Sequence, residues 1–219
     1  MMKRTIFGLA FVTSAWALAA PTPAAVTAGS QWTAATYEAG RCIVRADRGA
    51  AAALMRTLPL DDSPADLGAL RGRAARCAEG AAGATAVTMR GAIAQALYLS
   101  DFRGRELRPV RPGYLVDLGL PVQGAPGGSR TVELYRWADC VVRNDSATTR
   151  RLLMSPLGSS EETAAITALN NYMAACLPQG ADLNVYASEV RDLFAQTAYA
   201  SLYRYWTGQL RGPSSRARD

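Results

Sequence analysis

The chain is written twice. With a shift of 98 residues Thr33 meets Thr131, Tyr37 meets Tyr135, and Cys42, Arg45 and Asp47 meet Cys140, Arg143 and Asp145. With a shift of 99, Leu54 and Met55 fall on Leu153 and Met154, Leu58 on Leu157, Leu70 on Leu169, and Cys77 on Cys176. Gly80 and Ala81 fall on Gly180 and Ala181 at a shift of 100, and Arg90, Gln95 and Tyr98 on Arg191, Gln196 and Tyr199 at 101. The shift grows by three in single-residue steps and never reverses, an order that chance matches would not keep. A fixed internal period means that one structural unit was copied. The units span residues 33–100 and 131–205.

Duplication narrows the sulfur chemistry. Four cysteines allow three connectivities. A single ancestral unit with two cysteines bonds only within itself, which predicts Cys42–Cys77 and Cys140–Cys176. Each bridge closes a loop worth roughly 4 kcal/mol in the chain-entropy treatment, a sizeable contribution for units close to the size at which a core alone is marginal. The cysteines form no CxxC pair, which disfavours a thioredoxin-like dithiol and a zinc ribbon.

The start of the chain points to the compartment in which such bridges persist. Lys3 and Arg4 precede an apolar run from Ile6 to Ala20, followed by small residues, the tripartite pattern of a secretory signal peptide. The run is short for a bilayer-spanning helix. Small residues at −3 and −1 allow cleavage after Ala19 or after Ala28; the leader is taken as residues 1–28. The expectation is a periplasmic or secreted protein, not an integral membrane protein once the leader is removed, with paired cysteines as disulfides.

Within each unit the hydrophobic periodicity is helical. Leu67, Leu70, Ala74 and Cys77 share one face, and Ile166, Leu169, Met173 and Cys176 repeat the spacing. Ser159 to Glu162 reads as a capping box, and Ser63-Pro64 as an N-cap with proline at the first helical position. Met89, Ile93, Ala96 and Leu97 form a stripe, as do Val190, Leu193, Phe194, Thr197 and Ala198, with Thr88 and Ser188 as candidate N-caps. Asp47 and Asp145 precede Ala-rich and Leu-rich runs and are placed to cap them. The segments 33–45 and 131–143 read as helices whose Val-rich ends leave a strand open. The predicted fold is all-α: two tandem homologous three- or four-helix units, each with one disulfide. A Pro/Gly-rich linker over 101–130 joins them, and a disordered tail covers 206–219.

Composition removes several chemistries. There is no histidine, hence no Ser-His-Asp or Cys-His catalysis and no His-ligated zinc. Lys3 is the sole lysine, so no Ser-Lys dyad survives leader removal. The sequence has no nucleophile elbow, P-loop, dinucleotide fingerprint or EF-hand loop. Asp61-Asp62 and Glu161-Glu162 are adjacent and tend to point apart, unlike the convergent carboxylates of a glycosidase or aspartic protease. No catalytic residue, metal ligand or cofactor is assigned. The formal charge of +6 falls to +4 without Lys3 and Arg4. With no nucleic-acid-binding motif present, nucleic acid is disfavoured as a partner. An envelope protein or an anionic envelope polymer is the expected kind of partner.

Residues that recur in both units are the candidate ligand or anion sites: Arg45 with Asp47, Arg143 with Asp145, Arg90 and Arg191. Each has a structural reading beside the functional one: a salt-bridged arginine next to an N-cap for the first two pairs, and inter-helix hydrogen bonding for Arg90, Arg191, Gln95, Gln196, Tyr98 and Tyr199. Arg103, Arg105, Arg108 and Arg111 form a basic cluster that reads as an anion-contacting patch or as a solvated loop. The aromatic last segment (Tyr199, Leu202, Tyr203, Tyr205 and Trp206) reads as core packing or a partner surface.

The pattern resembles exported, Cys-paired helical proteins of Gram-negative, high-GC bacteria, a group with no assigned activity; the Ala- and Arg-rich, Lys-poor composition points the same way. The resemblance transfers no functional residue. The leading expectation is a non-catalytic binding or interaction module. The alternatives are a histidine-independent hydrolase of the envelope and a structural or stress-related protein. Peptide mapping of the unreduced protein is expected to give 42–77 and 140–176 peptides; a 42–140 or 77–140 peptide would reject the pairing.

Overall fold

In the computed structural model, residues 34–56, 77, 86–103, 130–177, 185 and 187–210 are described. The expected signal peptide, the helix over 63–76 and most of the linker lie outside them, as does the end of the tail. The described chain is all-helical: α1 (Ala34–Ala46), α2 (Arg48–Met55), α3 (Ala86–Phe102), α4 (Arg130–Asn144), α5 (Ser146–Met154), α6 (Ser160–Ala175) and α7 (Ala187–Leu210). The Val-rich ends of α1 and α4 are helical, so the strand alternative falls.

Asp47 and Asp145 each do two jobs. The Asp47 amide donates to Ile43 O (2.9 Å), closing α1, while its carboxylate accepts from Ala50 N (2.9 Å), opening α2. Asp145 does the same between Val141 O (2.9 Å) and Thr148 N (2.9 Å). One residue therefore turns the chain from helix to helix while satisfying one first-turn amide of the next helix. Ser159 caps α6 by accepting from Glu162 N (3.2 Å), while the Glu162 carboxylate accepts from Gly158 N, one residue before the cap. Gly158 has φ +71°, the left-handed region that glycine enters without penalty. Both disulfides form as the duplication predicts. Cys42 pairs with Cys77 (Cα atoms 5.6 Å apart) and Cys140 with Cys176 (5.8 Å).

Helices α1, α3, α7 and α4 pack in that order, with α2 against α3, α5 against α4 and α7, and α6 against α4 and α5. A single apolar cluster runs through all of them, from Ala39 and Ile43 through Ile93 and Leu97 to Phe194 and Leu202. Helices α3 and α7 are central. Every residue from Thr88 to Tyr98 and from Val190 to Leu202 is buried, on all faces. The stripes expected there describe only part of this burial, because a helix with neighbours on all sides has no solvent face. Packing also starts these helices earlier than the caps expected at Thr88 and Ser188: α3 begins at Ala86 and α7 at Ala187. Likewise α7 continues to Leu210, past the expected end at 205.

Two glycines set the closest approaches. A Cβ on Gly40 would lie 2.6 Å from the Ala92 carbonyl carbon, so α1 and α3 touch backbone to backbone. A Cβ on Gly91 would lie 2.7 Å from Asp192 Cα and overlap its carboxylate. Gly91 and Asp192 correspond under the shift of 101, so α3 and α7 cross at matching positions. Gly40→Ala is expected to destabilise the protein by about 1–3 kcal/mol through overpacking. Gly49→Ala, whose Cβ would meet only Asp47 Oδ1 at 3.7 Å, is expected to be neutral or stabilising by about 0.5–1 kcal/mol. Urea unfolding of both variants checks the contrast; equal midpoints would contradict it.

Candidate functional site

The recurrent polar residues of α3 and α7 come together inside the core. Arg191, 2% exposed, donates from NH1 to Glu162 Oε1 (2.6 Å), from NH2 to Ser155 O (2.7 Å) and from Nε to Gln95 Oε1 (3.0 Å). Its counterpart Arg90, 5% exposed, donates from Nε to Gln196 Oε1 (3.3 Å) and from NH2 to Leu54 O (3.1 Å). Each arginine thus meets the glutamine of the other half. Gln95 donates to Leu153 O (2.7 Å), and Gln196 Oε1 also accepts from Tyr135 OH (2.7 Å). Leu54 and Leu153 sit in the last turns of α2 and α5 and Ser155 just beyond α5, where carbonyls lack intrahelical donors and the helix dipole favours cations. The layer therefore satisfies buried helix ends. Arg90 and Arg191 lie within it.

The other recurrent pair behaves differently in its two copies. Asp47 and Asp145 are caps. Arg143 turns back to Asp139 on its own helix (NH2 to Oδ2 2.8 Å), not to the cap Asp145. At the position corresponding to Asp139 the first half has Arg41. Arg45 is therefore left exposed on α1 with no ion pair among the described residues, and with a second arginine four positions before it. Like charges at that spacing cost an isolated helix a few tenths of a kcal/mol. Glu38 offsets part of this by pairing with Arg41 (3.2 Å), whose guanidinium also lies over the Tyr37 ring (5.8 Å to the centroid).

Arg41 and Arg45 line a cleft of about 620 Å³ between α1, the end of α3 and the turn after α5. Its apolar surface comes from Val44, Ala96, Leu99, Met154, Pro156 and Leu157, and its polar edge from Tyr37, Glu38, Arg41, Arg45, Ser100 and Arg103. Met154 is 40% exposed, one of the few large apolar side chains so open to solvent. Arg103 stands one residue past α3, where its charge favours the helix C-terminus. The size fits a small-molecule site. Three arginines face one carboxylate, Glu38, which Arg41 already holds.

Sequence reading singled out Arg45 and Arg103 but missed Tyr37, Arg41 and Met154. The available signal was the charge change at corresponding positions, Arg41 against Asp139. Of the basic cluster, Arg105, Arg108 and Arg111 lie outside the described residues. Tyr199 and Leu202 are buried, and Tyr203 is half-buried beneath Arg56 (5.2 Å to the ring centroid). Among the described residues no group of three or more Cys, Asp or Glu gathers to hold a metal, and no helix is long and apolar enough to cross a membrane. Comparison with protein-family models, curated proteins and solved structures finds no match to this chain.

Burial raises the hydroxyl pKa of Tyr98, Tyr135 and Tyr199 above the ordinary range, and the Asp101 carboxylate 3.2 Å from Tyr199 OH adds to it there. A folded-state pKa above the unfolded value of about 10 means that these groups stabilise the fold below that pH. The contribution is lost as pH climbs toward the folded values. Ultraviolet titration of tyrosinate is expected to show a fraction that ionises only as far-ultraviolet circular dichroism collapses. Full ionisation with the helices intact would contradict this.

Proposed function

We propose that this is an exported, non-catalytic binding protein, built by tandem duplication of a disulfide-closed helical unit, that takes an anionic ligand in the cleft between α1, α3 and the turn after α5. The observation that carries the reading is the unbalanced arginine edge over an apolar floor: Arg41, Arg45 and Arg103 against Glu38 alone. The leader-like start of the chain and the two disulfides support export. The order-preserving sequence shift and the reciprocal Arg90–Gln196 and Arg191–Gln95 contacts support duplication. Among the described residues that line the cleft Glu38 is the one carboxylate, which does not favour a hydrolase working through paired carboxylates there.

The test is calorimetric titration of the mature protein with pyrophosphate, citrate, an acidic hexapeptide and dodecyl phosphate. At least one is expected to bind, more weakly as salt rises, and to lose tenfold or more in affinity in Arg45→Glu/Arg103→Glu. Arg151→Glu, the same reversal at a single exposed position outside the cleft, is expected to retain binding, whereas Arg45→Glu alone is expected to weaken it. Silence across the panel, or binding indifferent to the cleft reversal, overturns the proposal.

A further inference from the structure

We infer that the cleft's ligand is a single-chain anionic amphiphile bound as a monomer. Its head, a phosphate, sulfate or carboxylate, meets Arg45 and Arg103, and its alkyl chain lies along Val44, Leu99, Met154 and Leu157. This deepens the anion-binding reading above and rests on it.

The first argument is the composition of the cleft itself. A site for a small hydrophilic anion needs donors and charge, not a continuous apolar floor. This one places exposed Met154 and half-buried Leu99 and Leu157 beside its arginines. Apolar surface left in water is costly, and covering it with a methylene chain recovers that cost. Arg45 and Arg103 carry no ion pair among the described residues, so a ligand anion would not have to displace one, and a guanidinium grips phosphate or carboxylate with two parallel bonds.

The second argument is the set of corresponding positions under the internal repeat. Tyr135, the counterpart of Tyr37, is 1% exposed and bonded to Gln196, and Met55, the counterpart of Met154, is equally buried. The positions corresponding to Ala96, Leu99 and Ser100 are Thr197, Ala200 and Ser201, all buried. The closed set combines α4 and α7 with the end of α2, and its own side chains cover these positions. The open set combines α1 and α3 with the end of α5: Tyr37 is partly exposed, Met154 is open and a cleft lies above Leu99, with Arg41 where α4 has Asp139. One of two corresponding arrangements is packed shut, and the other leaves room for an apolar guest under cationic cover.

The experiment titrates the mature protein with alkyl phosphates of increasing chain length, all below their micellar concentrations, beside inorganic phosphate and dodecyl maltoside. Affinity is expected to rise about threefold or more per methylene and then to level off once the chain fills the cleft. Inorganic phosphate is expected to bind at least a hundredfold more weakly than dodecyl phosphate. Arg45→Glu/Arg103→Glu is expected to lose tenfold or more, and Met154→Glu to flatten the chain-length dependence while circular dichroism stays unchanged. Pyrophosphate, citrate or peptide binding that equals dodecyl phosphate overturns the amphiphile inference but leaves the anion site standing. Equal binding of dodecyl maltoside overturns the role of the anionic head. Flotation with phosphatidylglycerol vesicles, without binding of any monomer, overturns it in favour of a membrane surface.

Discussion

Two guanidinium groups buried in one helical core are tolerable only if nearly every N–H finds an acceptor, since an isolated buried charge is among the costliest things a fold can contain. Here the acceptors are carbonyls at the ends of α2 and α5, two glutamines and one glutamate. The arrangement is mutual: α3 supplies Arg90 and Gln95, α7 supplies Arg191 and Gln196, and each arginine reaches across to the opposite glutamine. Truncating Arg191 would strand Glu162 and the carbonyls around it, a loss of the order of 3–5 kcal/mol for a broken buried pair. This layer ties α3 to α7 in one register, and α1, α2, α4 and α5 pack against those two helices.

Close packing makes that layer reachable. Gly40 lets α1 meet α3 backbone to backbone, and Gly91 leaves room for the Asp192 side chain between α3 and α7. The disulfides act at a different level. Each ties an outer helix, α1 or α4, to the segment roughly thirty-five residues later, constraining the unfolded chain more than it adds contacts to the folded one. Sulfur closes each half locally, and the arginine–glutamine layer joins the halves.

The described outer helices and both bridges were legible in the sequence because their signals are local or follow from repetition: Asp at a cap, Ser159 before Glu162, cysteines that recur in step. The centrality of α3 and α7 was not legible. Recurrence of Arg90, Gln95, Arg191 and Gln196 pointed to hydrogen bonding between helices, which forms, but polar residues on both segments gave no sign that the two helices are buried on every face. The cleft was half visible. Arg45 stood out because it recurs, yet what makes the site is the failure of recurrence at Arg41 and Asp139, a signal that pattern matching discards as mismatch.

The turn after α5 ties the two regions together. Ser155 lies in the cleft lining and is also the residue whose carbonyl receives Arg191 from behind, while Glu162, a few residues on, holds the same guanidinium. That side of the cleft is riveted to the protein's interior. A guest settling beside Met154 would meet a surface already fixed in shape and forfeit little freedom on arrival, and any shift of that wall would have to loosen the centre of the molecule first.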